Sequence, residues 1–264
     1  VNDNVYEIGN FRFGFSTRSD GDMSRTDSTR ATAVSNRQRF LDRLGLGTSD
    51  RALIRVCHSA NVDLIEFEPR LLRRTTFREP PVVTTDFENV LDGSDGIVTL
   101  DPNVVVVLVT GDCVPLVVWD ESSGLHGVVH IGMVGALNRI VSSLGRAIDA
   151  TGVARQSVDV FLGPSIGKTD YDISRSGLWA AIEDQALAKV PGLTAFLHRT
   201  DSGHFFDIQG LVRSQLLDEG FTNDRIDTYP RSTAESDSPF YSHFAEKTEP
   251  SGRTPRMMTA IGVR

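Results

Sequence analysis

Cysteine is scarce in this 264-residue chain: Cys57 and Cys113 are the only two. Two thiols build no disulfide framework, and the expected setting is a reducing cytoplasm. No apolar run approaches the ~18 residues that a spanning helix needs, so no membrane helix is expected. The opening VNDNVYEIGN has neither the basic nor the apolar region of a signal peptide. It begins on Val1 rather than Met, which leaves open a leader removed upstream. Positive charge is short as well. The 27 Lys+Arg against 35 Asp+Glu leave a formal charge of −8, the wrong sign for coating phosphates, so nucleic acid is not an expected partner. Repeats, low-complexity tracts and linkers are missing, and residues 1–264 read as one domain. What the chain does have is an ordinary globular composition. Hydrophobic residues make up 39%, and 23 glycines raise the apolar share to roughly 48%, enough for a sizeable core.

Periodicity supplies the expected elements. Residues 11–17 (FRFGFST) alternate Phe11, Phe13 and Phe15 with smaller or polar neighbours and read as a strand. A polar loop over 18–29 precedes a helix over about 31–44, with Val34, Phe40, Leu41 and Leu44 on its apolar side and Gly45 ending it. Residues 52–58 (ALIRVCH) read as a strand. Residues 68–92, with Arg70, Arg73, Arg74, Arg78 and Pro80-Pro81, read as an irregular excursion whose arginines form a solvated face rather than a binding patch. The β-branched runs at 95–99, 104–110, 114–120 and 125–131 are short strands, the last two joined by a hairpin loop, ESSG, at 121–124. Leu137, Ile140, Val141, Leu144 and Ile148 predict a helix over about 136–150. A strand at 158–163, helices at 176–189 and 208–219, and strands at 225–229, 240–244 and 256–263 complete the expectation. Strands outnumber helices without strict alternation, which favours α+β, a mixed β-sheet with helix layers, over a doubly wound α/β sheet.

Two cysteines and six histidines make a short list of soft ligands and nucleophiles. Three of them stand where strands give way to loops: His58 ends ALIRVCH, Cys113 lies in the turn TGDCVP, and His130 precedes IGMVG. Rigid elements that present side chains at their ends suit a metal or catalytic cluster. Two histidines and a cysteine are a donor set for catalytic zinc, with the fourth position left to water or substrate. The spacing is long-range, and a buried cysteine with two hydrogen-bonded histidines is the plainer alternative. Asp112 is a candidate acid/base or ligand-orienting group, or else a turn-capping aspartate. On an unbroken strand His126 shares a face with His130, as an orienting group or a surface histidine. Cys57 points away from His58, which argues against a Cys57–Cys113 disulfide. His204, His243 and Tyr171 are candidate rim residues, Ser165 and Lys168 sit in a candidate substrate-side loop, and His198 reads as surface.

TGDCVPLVVWD followed by GVVHIGMVG resembles the paired signature of the YfiH-type family, whose members are called multicopper polyphenol oxidase (laccase-like) proteins or purine nucleoside phosphorylases. That pattern is an Ala-Asp-Cys-x-Pro turn and then a His-Ala-Gly-Trp-Arg-Gly turn on the next strand. FGFSTRSDG, Asn36-Arg37, RVCHSANV, DGIVT, FLGPSIGKTDYDI and TPRMMTAIGV resemble further pieces in the same order, so the likeness spans nearly the whole chain. The resemblance implies a YfiH-like fold, related to the CNF-type cysteine hydrolase fold, with metal ligands at His58, Cys113 and His130. It implies zinc, with copper as the alternative ion. The implied activities are phosphorolysis of adenosine, inosine or methylthioadenosine and deamination of adenosine, with purine nucleoside and phosphate as partners. Oxidation of phenols and editing of peptidoglycan precursors are also assigned to the family. The candidate catalytic residues are Cys113, His130, His58 and Asp112, and the candidate substrate contacts are Arg18, Ser165 and Lys168.

The chain departs from the family pattern at charged positions. Met133-Val134 stands for Trp-Arg, and Val56 and Ser59 replace the Gln and Gly flanking the first histidine. Thr169 and Asp170 replace cysteines, and Ser242-His243-Phe244-Ala245 stands for Ser-Tyr-Arg-Arg. Phosphate recognition needs fixed positive charge, which leaves Arg18, Lys168 and Arg253 as candidate substitutes. A bound zinc would activate water for hydrolysis or deamination, or polarise a substrate oxygen. Six histidines are too few for a multicopper oxidase, whereas a single copper suits a His and Cys set. Two readings need no metal. One is a Cys113–His130 thiol–imidazole pair acting as an amidase or deamidase, with His58 positioning it. The other is a non-catalytic family member that binds a ligand or partner.

Overall fold

A computed structural model describes residues 4–24, 30–68, 71–78, 93–246 and 254–264. Its strands are β1 Val5–Ile8, β2 Phe11–Phe15, β3 Asp50–Leu53, β4 Val62–Glu68, β5 Leu71–Phe77, β6 Gly96–Thr99, β7 Val104–Thr110, β8 Val114–Asp120, β9 Leu125–Ile131, β10 Asp159–Leu162, β11 Leu197–Thr200, β12 Gly203–Phe206, β13 Ile226–Thr228 and β14 Met257–Val263. Its α-helices are α1 Arg30–Leu44, α2 Met133–Leu137, α3 Ile140–Asp149, α4 Gly177–Lys189 and α5 Ile208–Asp218. One sheet has five strands in the order β1-β2-β14-β7-β3, a second has seven in the order β13-β10-β8-β9-β6-β4-β5, and β11 pairs with β12 alone.

The two large sheets share an aromatic core. Phe11, Phe13, Phe15, Val106, Leu108 and Ile261 of the five-stranded sheet pack with Val117, Trp119, Val128 and Phe161 of the seven-stranded one. The Phe13 ring centroid lies 5.1 Å from that of Trp119 and 5.6 Å from that of Phe161. On the other face of the seven-stranded sheet, Val114, Leu116, Val118, Val129 and Ile131 pack with Ile140, Val141 and Leu144 of α3 and Leu211 and Val212 of α5. Helix α1 covers the other face of the five-stranded sheet through Phe40, Leu41 and Leu44, against Val105, Val107 and Met258. The result is helix, sheet, sheet, helix, which is the α+β arrangement of mixed sheets and helix layers expected from the sequence. All seven residues of β8 and all seven of β9 are buried, because strands covered on both faces lose polar alternation. Neighbours such as Leu116 and Val117 therefore serve different cores.

Several elements differ from expectation, each for a local reason. Residues 52–58 are not one strand. β3 ends at Leu53, and after a last rung from Ile54 N–H to Val107 O at 2.9 Å the chain crosses to β4 in the other sheet. The helix expected over 136–150 is two helices, broken where Arg139 adopts φ 55°, a left-handed conformation to which hydrophobic periodicity is blind. The excursion over 68–92 contains β5, paired antiparallel with β4 along its whole length. Arg73, Arg74 and Arg78 are exposed there, with Arg74 Nε 2.6 Å from Asp63 Oδ2, while Arg70 and residues 79–92 lie outside the described residues. Residues 240–244 form no strand. Phe240 is buried in the inter-sheet core, and the Phe244 N–H donates to Asp112 Oδ2 at 2.6 Å instead of to a ladder. The periodicity predicts neither β4, of seven residues, nor β1, β11 and β12, of four residues each.

Candidate metal centre

Sheet register brings distant residues to one point. Pro115 of β8 pairs with His130 of β9, so Cys113, the residue before β8, lies beside the end of β9. On the other side of β9, Gly96 pairs with Val129, which sets Asp95 against His130. The His130 N–H donates to the Asp95 carbonyl at 2.6 Å. His58 arrives on the crossover between β3 and β4. The ligand atoms of His58, Cys113 and His130 all lie within 4.8 Å of one another. The two imidazole rings stand 88° apart with centroids at 5.2 Å. His58 is exposed, Cys113 half-buried and His130 buried.

Asp95, fully buried, organises this cluster. Its Oδ1 accepts from His130 Nδ1–H at 2.9 Å, Cys57 N–H at 3.1 Å and His58 N–H at 3.2 Å. Its Oδ2 accepts from the Cys57 thiol at 3.2 Å, the Ser59 hydroxyl at 2.7 Å and the Ser59 N–H. An ionised carboxylate only accepts, so the hydrogen of a neutral His130 sits on Nδ1 and the Nε2 lone pair is left to bind a metal. The same carboxylate secures the 57–59 turn, in which His58 adopts φ 59°, a strained left-handed conformation for a non-glycine residue.

Charge follows from this geometry. Burial works against the Asp95 carboxylate, but the His130 hydrogen bond and charge, with Ser59, bring it down to about 2. Burial also works against a charged Cys113. The His130 charge, then hydrogen bonds from His130 and His58, outweigh it and bring the thiol down to about 6. Burial opposes a charged His130, which Cys113 and Asp95 nevertheless hold protonated up to about 10. Without a metal, Cys113 and His130 therefore form a thiolate–imidazolium pair.

A metal ion fits this donor set. Besides the ligand chemistry, the backbone leaves clearance over the cluster: a Cβ on Gly132 would lie 3.3 Å from Cys113 Sγ, 3.4 Å from His58 Cδ2 and 3.5 Å from His130 Cε1. Gly132 has φ −89° and ψ 180°, which any residue adopts, so the glycine is needed for space and not for conformation. Two imidazoles and a low-pKa thiolate, one imidazole backed by a carboxylate, suit zinc or copper.

Cys113 also lines a cavity of about 330 Å³, the size of a small-molecule site. Met133, Ile166, Tyr171, Ile208 and Phe244 give it apolar walls. Tyr171 meets Phe244 edge-to-face, with centroids 6.0 Å apart. Burial first, then the charges of Cys113 and Asp112, push the Tyr171 hydroxyl up, so it stays protonated. Asp112, itself at φ 73°, lines the cavity and accepts from Thr233 Oγ1 at Oδ1 and from Phe244 N–H at Oδ2, both at 2.6 Å. It thereby ties the Cys113 turn to two C-terminal segments.

The remaining sequence candidates lie elsewhere. Arg18 pairs with Glu246, donates to Ser238 O at 3.1 Å and stacks on Tyr241. Ser165 is buried and accepts from Gln209 at 2.8 Å. Lys168 lines a separate cavity of about 380 Å³ with Arg213 and Arg231. Arg253 lies outside the described residues. His126 shares the His130 face but is neither a surface residue nor near the cluster. It is fully buried, and its ring bonds to Gly124 O and Val104 O at 2.9 and 2.8 Å. His243 and Tyr171 line the cavity, whereas His204 does not and His198 is exposed. Both cysteines are free. Sequence reasoning missed Asp95 and Arg175, which also lines the Cys113 cavity; the one available signal, for Asp95, was an acidic residue heading the strand DGIVT.

Residues 14–264 match the family model described as "Multi-copper polyphenol oxidoreductase laccase". Purine nucleoside phosphorylase Rv2149c of Mycobacterium tuberculosis is 27% identical over 223 residues, covering 84% of this chain and 77% of that protein. Purine nucleoside phosphorylase YlmD of Bacillus subtilis is 28% identical over 195 residues, covering 73% and 67%. Among solved structures, YlmD from Geobacillus stearothermophilus superposes with a TM-score of 0.75 at 22% identity over 99% of both chains. The hypothetical protein YfiH of Bacillus licheniformis gives 0.73 at 21% identity, over 96% of this chain and 93% of that one. These two likenesses concern the fold.

Proposed function

The chain belongs to the multi-copper polyphenol oxidoreductase laccase family, and from that premise we propose that it is a zinc-dependent purine nucleoside-processing enzyme, cleaving its substrate with phosphate. The observation that carries this reading is the convergence of His58, Cys113 and His130 beside an aromatic-walled cavity. The relatives named purine nucleoside phosphorylase supply the substrate class. Deamination of adenosine is the other reaction that the same site would serve.

His58, Cys113 and His130 would hold the zinc, and one copper suits the same set. When bound, zinc supplies Lewis acidity at the cavity wall. The chain's own residues do the rest. Tyr171 and Phe244 give the base an aromatic wall to pack on, and Met133, Ile166 and Ile208 keep water off it. The protonated Tyr171 hydroxyl donates to the bound substrate. Asp95 holds the His130 proton at Nδ1 and fixes the ring. Asp112 acts as a positioning residue for the Cys113 turn and the Phe244 wall. Two free thiols fit a reducing cytoplasm, and no helix among the described residues is long and apolar enough to cross a membrane.

One observation favours a second reading. Cys113, His130 and Asp95 also stand as thiolate, imidazolium and orienting carboxylate, the arrangement of a metal-free cysteine amidase. The experiment is to incubate zinc-loaded protein with adenosine, inosine and methylthioadenosine, each with and without phosphate. Phosphate-dependent release of free base and a sugar 1-phosphate is the expected result, and phosphate-independent conversion of adenosine to inosine would mark deamination. No turnover of any of the three contradicts the nucleoside reading.

A further inference from the structure

A purine nucleoside is neutral, so a cleavage by phosphate needs a cation that this chain has not spent on itself. We propose that Arg175 is the phosphate-binding residue of the Cys113 cavity, taking either inorganic phosphate or a phosphate ester carried by the substrate; the inference deepens the nucleoside reading above.

Arg175 is the one Lys or Arg among the described residues lining that cavity. Its guanidinium is anchored on one side only, with Nε 3.0 Å from Asp172 Oδ2. Asp172 is a firm anchor. It is buried, it caps the turn Ile173–Arg175, and its Oδ1 accepts from the N–H groups of Ser174 and His204 at 3.1 and 3.3 Å and from the Ser174 hydroxyl. The Arg175 side chain is 71% exposed, and its two Nη groups have no partner among the described residues. A guanidinium paired by charge with Asp172 through Nε, with both Nη groups open, presents the fork that binds a phosphate through two oxygens, which a lysine ammonium cannot do.

The neighbouring cations are already engaged. Arg256 packs against Gly111 at the cavity wall, but its Nη1 donates to Thr254 O at 2.8 Å and its Nη2 lies 3.4 Å from His243 Nδ1. Arg18 is held by Glu246 and Ser238. Lys168 faces the separate cavity. The nearby negative charge of Asp112 is tempered, since each of its carboxylate oxygens already accepts a hydrogen bond.

The test is direct binding, by titration calorimetry, of inorganic phosphate and of adenosine 5′-monophosphate to zinc-loaded wild type, Arg175→Ala and Arg175→Lys. Arg175→Ala is expected to weaken binding about 10- to 100-fold, the range for lost charge-assisted hydrogen bonds, and Arg175→Lys to recover part of it. Loss confined to inorganic phosphate assigns the co-substrate; loss confined to the 5′-monophosphate assigns a nucleotide substrate. Equal binding of both ligands in wild type and Arg175→Ala, or no binding by wild type, overturns the inference. A wild type that turns over no nucleoside but shows Arg175-dependent phosphate binding refutes the nucleoside reading alone. The exposed side chain makes loss of folding an unsuitable explanation, which thermal melts of both variants check.

Discussion

Asp95 and His130 are clamped together twice, by the His130 N–H on the Asp95 carbonyl at 2.6 Å and by the imidazole Nδ1–H on Oδ1 at 2.9 Å. The first bond extends the pairing of β6 with β9; the second fixes the ring. Because the same carboxylate also holds the 57–59 turn, one buried residue sets two of the three candidate ligands.

Asp95→Asn removes the charge and puts a donor where only acceptors fit. Zinc affinity is expected to fall 10- to 100-fold, the usual effect of losing a carboxylate behind a ligating histidine. Competition with a chromogenic chelator measures it. Unchanged affinity would mean that the cluster does not depend on its carboxylate.

In metal-free protein, alkylation of Cys113 is expected to follow a titration near pH 6, because the His130 charge overcomes the burial that would raise the thiol. His130 keeps its proton until about pH 10. Loading zinc at pH 8 therefore releases about one proton, from His130, since Cys113 has already lost its own. Calorimetry in buffers of different ionisation enthalpy counts it. Release of two, or an alkylation midpoint near 9, contradicts the paired charges.

The same shifts fix the sign of the pH dependence of stability without metal. The raised His130 contributes fully below the ordinary histidine value of ~6.5, and that contribution is lost as pH climbs through about 10. The lowered Asp95 contributes above the ordinary aspartate value of ~3.9, and its share is lost as pH falls toward about 2. The lowered Cys113 contributes fully above the ordinary thiol value of ~8.5, and its share is lost as pH falls through about 6. Metal-free protein is therefore expected to melt highest across roughly pH 6.5 to 8.5, and Asp95→Asn to flatten that profile.

Gly132→Ala tests the clearance over the cluster. The added Cβ would crowd Cys113 Sγ at 3.3 Å without straining the backbone. Metal content is expected to drop at least severalfold while the melting temperature of the metal-free protein moves little. A fully metallated Gly132→Ala protein would mean that the space above the three side chains is not used.

The parts of this structure legible in the sequence were those whose signal is local. β7, β8 and β9 match the β-branched runs at 104–110, 114–120 and 125–131, since strands buried on both faces are rich in apolar residues at neighbouring positions. His58, Cys113 and His130 were legible as residue types at strand ends and through family resemblance, although nothing local shows that they meet. Asp95 was not, because its role exists only through the register of β6 against β9. Arg175 and Phe244 escaped for the same reason, being 62 and 131 positions from Cys113 along the chain. The break at Arg139 was hidden because Leu137 and Ile140 face one core on either side of it.

The most direct measurement is the metal content of freshly purified protein, by mass spectrometry without added chelator, for wild type and Cys113→Ala. About one zinc per chain in wild type, lost in a Cys113→Ala protein that keeps its circular dichroism, is the expected result. A folded wild type that takes up no metal even when zinc is supplied would contradict the metal centre and move the site to the Cys113–His130–Asp95 thiol reading.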